Sequence, residues 1–249
     1  MYQYNMRGRN ETLRFHAQFG FQRRIELMYR FPYIDRKQKQ GLSVDFMFAE
    51  TNNVAYKTED HKYVFLKGDG VLRLSRGGGL SYTYRNSFYQ THGVRLEYYR
   101  MEVKDTIREL NDLYLKGEKN NQQYATISYT FNSDRRDLVA YPLKGHQVII
   151  TATRNGLLPA DDVQKTEVIL NYSKYFDLRK NFYLSNNAVG YASDPKDLSY
   201  LNYGVLGLRR QFVRGYEIYV VEGPYFALNK TTLKKLIFSR KYHWASMPL

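Results

Sequence analysis

The sequence predicts an all-β protein, an antiparallel up-and-down sheet whose strands follow one another in chain order. Three observations predict it. Ten stretches alternate apolar and polar residues with period two, while almost nothing carries a helical period. The connections between the stretches fall into a short set and a long set that alternate along the chain. The apolar faces of the cleanest stretches, Leu42–Phe48 and Ala125–Phe131, carry no charge. Such strands build either a soluble sheet over an inner core or a membrane barrel with its apolar face outward.

Leu13, Phe15, Ala17, Phe19 and Phe21 alternate with Arg14, His16, Gln18 and Gly20, and a tight turn is expected at Gln22-Arg23. Ile25, Leu27, Tyr29 and Phe31 continue the hairpin, which Pro32 and a polar run to Gln40 end. Leu42, Val44, Phe46 and Phe48 begin a third strand. Residues 54–78 read as a long loop with strand extensions near Tyr63–Leu66, ending in Gly77-Gly78-Gly79. Leu80, Tyr82 and Tyr84 start the fourth strand, and Val94, Leu96 and Tyr98 lie on the fifth after a turn near His92. A polar stretch from Lys104 to Asn121 carries a helical turn or more over Ile107–Leu115. Gln122–Asn132 is the cleanest strand, with Ala125, Ile127, Tyr129 and Phe131 on one face and Thr126, Ser128, Thr130 and Asn132 on the other. Strands then follow over about 146–153, 166–175, 181–192 and 225–237, with a long connection rich in Gly and Tyr over 193–223. Residues 238–249 form a basic, Pro-containing tail.

With 249 residues the chain can form one large domain, and its mean hydropathy is −0.61. No run approaches the roughly 18 apolar residues of a spanning helix, which excludes a helical membrane protein and says nothing about a barrel. The 25 Tyr and 14 Phe suit a soluble β protein and an aromatic girdle equally. Cysteine is absent, so disulfides and thiolate metal sites are excluded. The net charge of +14 is scattered between strands, as at Arg36, Lys37 and Lys39 or Lys234 and Lys235, with no RNA-recognition signature; nucleic acid is not the expected partner. His16, His61, His92, His146 and His243 form no metal-like pair, and Gly77–Gly79 does not lead into a Lys-Ser/Thr helix. The chain therefore reads as no enzyme, with no cofactor and no metal. Met1-Tyr2-Gln3-Tyr4-Asn5 lacks the features of a signal peptide, so the chain is expected to be cytosolic or a piece of something longer.

Loop length separates the soluble and membrane readings. Residues 32–40, 89–91, 133–145 and 176–180 are short; 54–78, 104–121 and 193–223 are long and alternate with them, while 22–23 and 155–164 are modest connections on the long side. A membrane barrel places short turns on one side and longer loops on the other, whereas a soluble meander has no reason to. Ala125, Ile127, Tyr129 and Phe131, and Leu42, Val44, Phe46 and Phe48, form faces without charge, and the opposite faces carry Arg14, Glu26, Arg30, Asp45, Arg95, Glu97 and Glu167.

Within the last long connection, Val213-Arg214-Gly215-Tyr216 matches the V-R-G-F/Y signature of the BamA/TamA superfamily of outer-membrane assembly and translocation barrels (the bacterial surface antigen family). Asp134-Arg135-Arg136 through Tyr141-Pro142-Leu143-Lys144-Gly145 resembles that family's Asp-Arg, aromatic-Pro, Gly turn, and Phe31-Pro32-Tyr33 followed by Asp35 resembles an earlier turn. The motifs stand in the family's order and cover most of the chain. The resemblance implies that Arg214 anchors a loop folded into the lumen, pairing with carboxylates outside this chain, where an Arg fork suits them well. Gly215 would permit the bend. It implies periplasmic turns at Pro32, Tyr33, Asp134, Arg135, Tyr141, Pro142 and Gly145.

The resemblance further implies a single outer-membrane β-barrel domain over residues 1–249, about ten strands of a larger, incomplete barrel of a Gram-negative envelope. It would lack N-terminal POTRA domains and the last barrel strands, and Ser246-Met247-Pro248-Leu249 does not replace the family's C-terminal signal. The implied function is folding and insertion of outer-membrane clients. A related barrel that secretes a polypeptide, and a passive porin or uptake barrel, stay open as alternatives, as does a soluble β protein. The implied partners are outer-membrane lipid, unfolded outer-membrane proteins, and periplasmic or lipoprotein accessory subunits.

Overall fold

The computed structural model describes residues 1–20, 22–208 and 211–238. Eleven strands form one antiparallel sheet, and every strand pairs with its neighbour in the meander. They are β1 (Tyr2–Tyr4), β2 (Thr12–Gln18), β3 (Gln22–Phe31) and β4 (Gln40–Thr51), then β7 (Arg73–Arg85) and β8 (Gln90–Val103) after the small hairpin β5 (Asn53–Glu59) and β6 (Lys62–Lys67). Helix α1 (Asp105–Leu110) precedes β9 (Asn121–Asp134), β10 (Gly145–Asn155), β11 (Lys165–Asp177) and β12 (Phe182–Asp194). A second small hairpin, β13 (Gly204–Leu206) and β14 (Val221–Gly223), comes before β15 (Tyr225–Lys235). The outermost strands β1 and β15 do not pair with each other, so the sheet is an unclosed wall. No described helix is long and apolar enough to cross a membrane.

Register fixes the two faces. Leu13, Tyr29, Val44, Leu80, Leu96 and Ile127 form one cross-strand row on the outer face. Arg14, Met28, Asp45, Gly79, Glu97, Thr126 and Asn155 form a row on the inner face. The outer face exposes large apolar side chains, Phe46 at 60% and Leu80 and Leu96 at 47% each, as a wall facing hydrocarbon would.

Three details differ from the sequence expectation. Residues 22–23 are not a turn but the start of β3; β2 ends at Gln18, Gly20 follows at φ +126°, and the apolar alternation runs past the strand end to Phe19, which is 77% exposed. Phe21 lies outside the described residues. Strand β1 adds an eleventh strand by pairing Tyr2–Tyr4 with Thr12–Arg14. The glycine triplet is inside β7, not at the end of a loop: Gly77, Gly78 and Gly79 pair with Tyr99, Tyr98 and Glu97. Glycines show no hydrophobic period, yet here they leave room for Tyr99, Phe46 and Arg95, which lie over them. The C-terminal signal considered at 246–249 lies outside the described residues.

The long connections gather at one end of the wall. Val54, Leu72, Met101, Val103, Ile107, Tyr114 and Leu115 make a buried cluster there, flanked by Tyr56, Leu66, Tyr99, Tyr200 and Leu201. Each such side chain contributes about 1.5–3 kcal/mol on burial, so the loops form a true core and not a fringe.

Candidate functional site: inner wall and loop cap

The inner face carries a polar network that crosses strands. Arg95 on β8 reaches over Gly79 to grip Asp45 on β4 through both terminal nitrogens, Nη1 to Oδ1 at 2.6 Å and Nη2 to Oδ2 at 2.9 Å. Its Nε donates to Glu97 at 3.0 Å and its Nη1 also to the Ser81 hydroxyl at 3.0 Å. On β3, next to β4, Glu26 accepts from Arg24 at 2.6 Å and Arg14 at 3.4 Å, with His16 at 3.8 Å. On the far side Lys165 pairs with Glu167 at 2.6 Å, and Glu167 accepts the Tyr191 hydroxyl at 3.0 Å. Alternation predicts which side these charges take; only register shows who meets whom.

The cap is joined to this wall. Gln122 on β9 and Asn202 exchange side-chain hydrogen bonds at 3.3 and 3.1 Å, and Lys165 Nζ donates to the Asn202 carbonyl at 3.0 Å. Within the cap, Thr58 on β5 donates to Glu222 on β14 at 2.8 Å and lies 3.0 Å from the Tyr200 hydroxyl. Burial pushes the Glu222 carboxyl above its ordinary value, against the opposing pull of the hydrogen bonds from Thr58 and Tyr200. Asn111 donates to the Tyr56 carbonyl at 2.6 Å, and the Tyr200 N–H to the Leu113 carbonyl at 2.9 Å. Thus 52–72, 104–120 and 195–224 hold one another. Sequence reading missed this constellation, because its members are brought together only by the meander.

The predicted Val213–Tyr216 motif lies at the far end of the excursion that the β13–β14 hairpin projects. The hairpin base rests on the inner wall: the Tyr191 ring fills the space that a side chain at Gly204 would need. The Val220 N–H donates to the His61 carbonyl at 2.7 Å, and Lys62 Nζ sits 5.2 Å from the Tyr219 ring centre. Phe212 lies 4.6 Å from Lys230 Nζ of β15. Beyond it the chain turns, with the Tyr216 N–H donating to the Val213 carbonyl at 2.9 Å and Gly215 at φ +85°. The Gly215 N–H donates to Glu217 Oε1 at 3.0 Å, and this bond, with a smaller pull from Arg214, holds the Glu217 carboxyl below its ordinary value. Arg214 is exposed and makes no ion pair with a described carboxylate. Arg209 and Arg210 lie outside the described residues.

The turn motifs sit at the opposite end. Arg136 grips Asp134 through Nε at 2.8 Å and Nη2 at 2.5 Å, the Arg135 guanidinium lies 5.7 Å from the Tyr89 ring, and Lys234 Nζ lies 4.3 Å from the Tyr141 ring. Pro142 leads to Gly145 at φ +97°, where β10 begins. In the earlier turn, Asp35 accepts the Gln40 and Lys39 N–H groups at 2.8 and 2.9 Å, which hold its carboxyl low. Pro32 and Tyr33 lead into this turn, and Tyr33 lines an open cleft with Asn10 and Arg36. The turn motifs are therefore at the end of the wall opposite the cap, whereas the excursion carrying Val213–Tyr216 starts from the cap and brings Phe212 to the middle of β15. Among the described residues no group of His, Asp and Glu is placed to hold a metal ion.

Residues 5–224 match the model of the Omp85 superfamily domain. No curated protein sequence matches the chain. Among solved structures, the chain is similar to the crystal structure of BamA from Haemophilus ducreyi lacking POTRA domains 1–3, with a TM-score of 0.64 at 16% identity. The similarity covers 84% of this chain and 41% of that one, so the chain spans about two fifths of that protein's length, and at this identity the likeness is one of fold. An outward apolar face, a consecutive antiparallel meander and a family match over nearly the whole wall lead to one conclusion: the chain belongs to the Omp85 superfamily and has the fold of an outer-membrane β-barrel.

Proposed function

We propose that this wall belongs to a barrel that folds and inserts other outer-membrane polypeptides in a Gram-negative envelope, without catalysis or cofactor. Residues 1–249 act as one barrel domain in this reading. Its clients are unfolded outer-membrane proteins, and its accessory partners are periplasmic or lipoprotein subunits that meet the turns at Pro32–Tyr33 and Asp134–Gly145. The observation that carries it is the packed loop cap. Val54, Ile107, Tyr114 and their neighbours fill the loop end with a hydrophobic core, where a passive porin would need a wetted passage. A client strand would gain its pairing by β-augmentation at an exposed sheet edge. Val213–Tyr216 supports the reading as an arginine-bearing excursion leaning on the inner wall, with Arg214 available to a carboxylate.

The test is reconstitution of the purified native protein, with all domains it carries, in phospholipid vesicles. Folding of a urea-denatured small barrel is followed by its heat-dependent gel shift. The expected result is faster client folding than in empty vesicles, slowed by Arg214→Ala. Steady ion conductance with no acceleration would replace the insertase with a porin.

A further inference from the structure

The outer face is apolar through its middle but ends differently at its two rims. At the turn end the rim is aromatic: the His92 ring lies 6.3 Å from Tyr84, 6.1 Å from Tyr129 and 5.2 Å from Phe131, and His92 Nδ1 is 2.8 Å from the Tyr129 hydroxyl. At the loop end the same face carries Arg23 on β3, Arg76 on β7, Arg100 on β8 and Arg154 on β10, against Glu50 and Glu102.

These arginines lie on one level of a tilted wall. Following the register, Arg23 pairs with Glu50, then Leu74, then Glu102, so it stands at the level of residue 102 on β8. Arg76 pairs with Arg100 itself. Arg154 pairs with Ile127 and then Leu96, so it stands at the level of residue 96. The row therefore descends six residues over the five steps from β3 to β10. At about 3.3 Å per residue and 4.8 Å per strand, that slope is a strand tilt of about 40°, the tilt of strands in membrane barrels. A straight line across strands so tilted is a line in the membrane plane, at the headgroup level of the loop-side leaflet.

The centre of the row is electrostatically uncomfortable by itself. Arg76 and Arg100 are directly opposed across strands, an arrangement that is destabilising for like charges. Glu102 bridges them, accepting from Arg76 Nη2 and Arg100 Nε at 3.1 Å each, and leaves the pair one positive charge in excess. The two side chains are 51% and 38% exposed, and both terminal nitrogens of Arg100 and Nε and Nη1 of Arg76 have no partner among the described residues. Paired guanidinium forks with open donors match a phosphate well.

We propose that Arg76 and Arg100, flanked by Arg23 and Arg154, form a binding site for the phosphate headgroup of an anionic lipid in the loop-side leaflet. The ligand is a membrane lipid and not a soluble anion, because the donors open onto the outer face beside the exposed Phe48, the register partner of Arg76, and next to the exposed Tyr98, one outer-face position along β8 from Arg100.

Native mass spectrometry of the detergent-solubilised full chain tests this, with dioleoyl phosphatidic acid and dioleoylglycerol as probes. Phosphatidic acid is expected to be retained and dioleoylglycerol not. The double variant Arg76→Gln/Arg100→Gln, checked for folding by its heat-dependent gel shift, is expected to weaken retention about tenfold, the scale of one charge-assisted contact. Glu102→Gln removes the competing carboxylate and is expected to strengthen retention, which keeps the proposal testable if the double variant does not fold. Equal retention of both probes, no weakening in the folded double variant, or no gain with Glu102→Gln would overturn the site. Displacement of the lipid by millimolar inorganic phosphate would reassign it to a soluble anion and overturn the lipid.

Discussion

Gly79→Ala tests whether the Arg95 bridge, and not backbone propensity, decides stability at the centre of the wall. A Cβ at position 79 would lie 2.5 Å from Arg95 Nη2 and 2.6 Å from its Cζ. The guanidinium is the mobile end of a long side chain, so it moves aside and the steric cost is small. What it loses is its double hydrogen bond to Asp45. Charged hydrogen bonds contribute about 1.5–3 kcal/mol. Arg95 and Asp45 keep 31% and 26% of their side-chain exposure, so water replaces part of the bond and the loss falls to about 1–2 kcal/mol. Opposing it, Ala in a strand interior gains about 0.5–1 kcal/mol over Gly. The net effect is a destabilisation of about 0.5–1 kcal/mol. Gly190→Ala is the control, since nothing lies within 4 Å of its would-be Cβ, and it should stabilise by about 0.5–1 kcal/mol. The assay is urea unfolding in detergent micelles, read by the heat-dependent gel shift. Asp45→Asn already weakens the bridge, so Gly79→Ala should cost less in that background. Equal, same-sign effects at positions 79 and 190, or strict additivity with Asp45→Asn, would refute the reasoning.

Three further outcomes are expected. Ile107→Ala opens the cap core and should cost about 2–5 kcal/mol, concentrated in the cap: hydrogen exchange should quicken in 52–72, 104–120 and 195–208 and stay unchanged in β10 and β11. Gly145→Ala forces a side chain to φ +97° and to 2.0 Å from the Arg135 carbonyl, so the yield of heat-shifting folded protein should fall sharply. Glu222 has a folded pKa above its unfolded one, so its contribution to stability is fullest below the unfolded value and is lost as pH rises through the folded value. Glu222→Gln should therefore resist proteolysis of the 204–223 excursion better than the parent at pH 8, with the difference vanishing near pH 4.

Much of the wall was legible because strand periodicity is a local signal. Arg14, Glu26, Asp45, Arg95 and Glu167 share the inner face as alternation predicts, and Ala125–Phe131 mark the outer one. The strand extension expected near Tyr63–Leu66 is β6, and the helical turn expected over 107–115 begins slightly earlier as α1. The glycine triplet was misread because residues without side chains have no face. The cap was not legible, since Thr58 meets Glu222 across 164 positions and no local pattern reports such a contact. The arginine row was hidden for a related reason. Arg76 and Arg100 meet only through the β7–β8 register, and Arg23 and Arg154 join their row only once the tilt is known. The excursion's motif was recognisable as a string, whereas its footing on Tyr191 and Lys230 was not.

The loop cap also bears on how the wall keeps its curvature. Every ladder contact in the wall joins strands adjacent in the sheet, and so fixes local twist without fixing the arc from β4 to β15. The ties from Thr58 to Glu222 and from His61 to Val220 run across that arc, as a chord runs across a bow. Such a chord forms late, because its far end is made only after β12 has been added, and closing so long a stretch is entropically costly. Once made, it converts loop packing into radius: shortening the 52–72 hairpin would leave each strand pair intact and let the whole arc relax toward a flatter sheet.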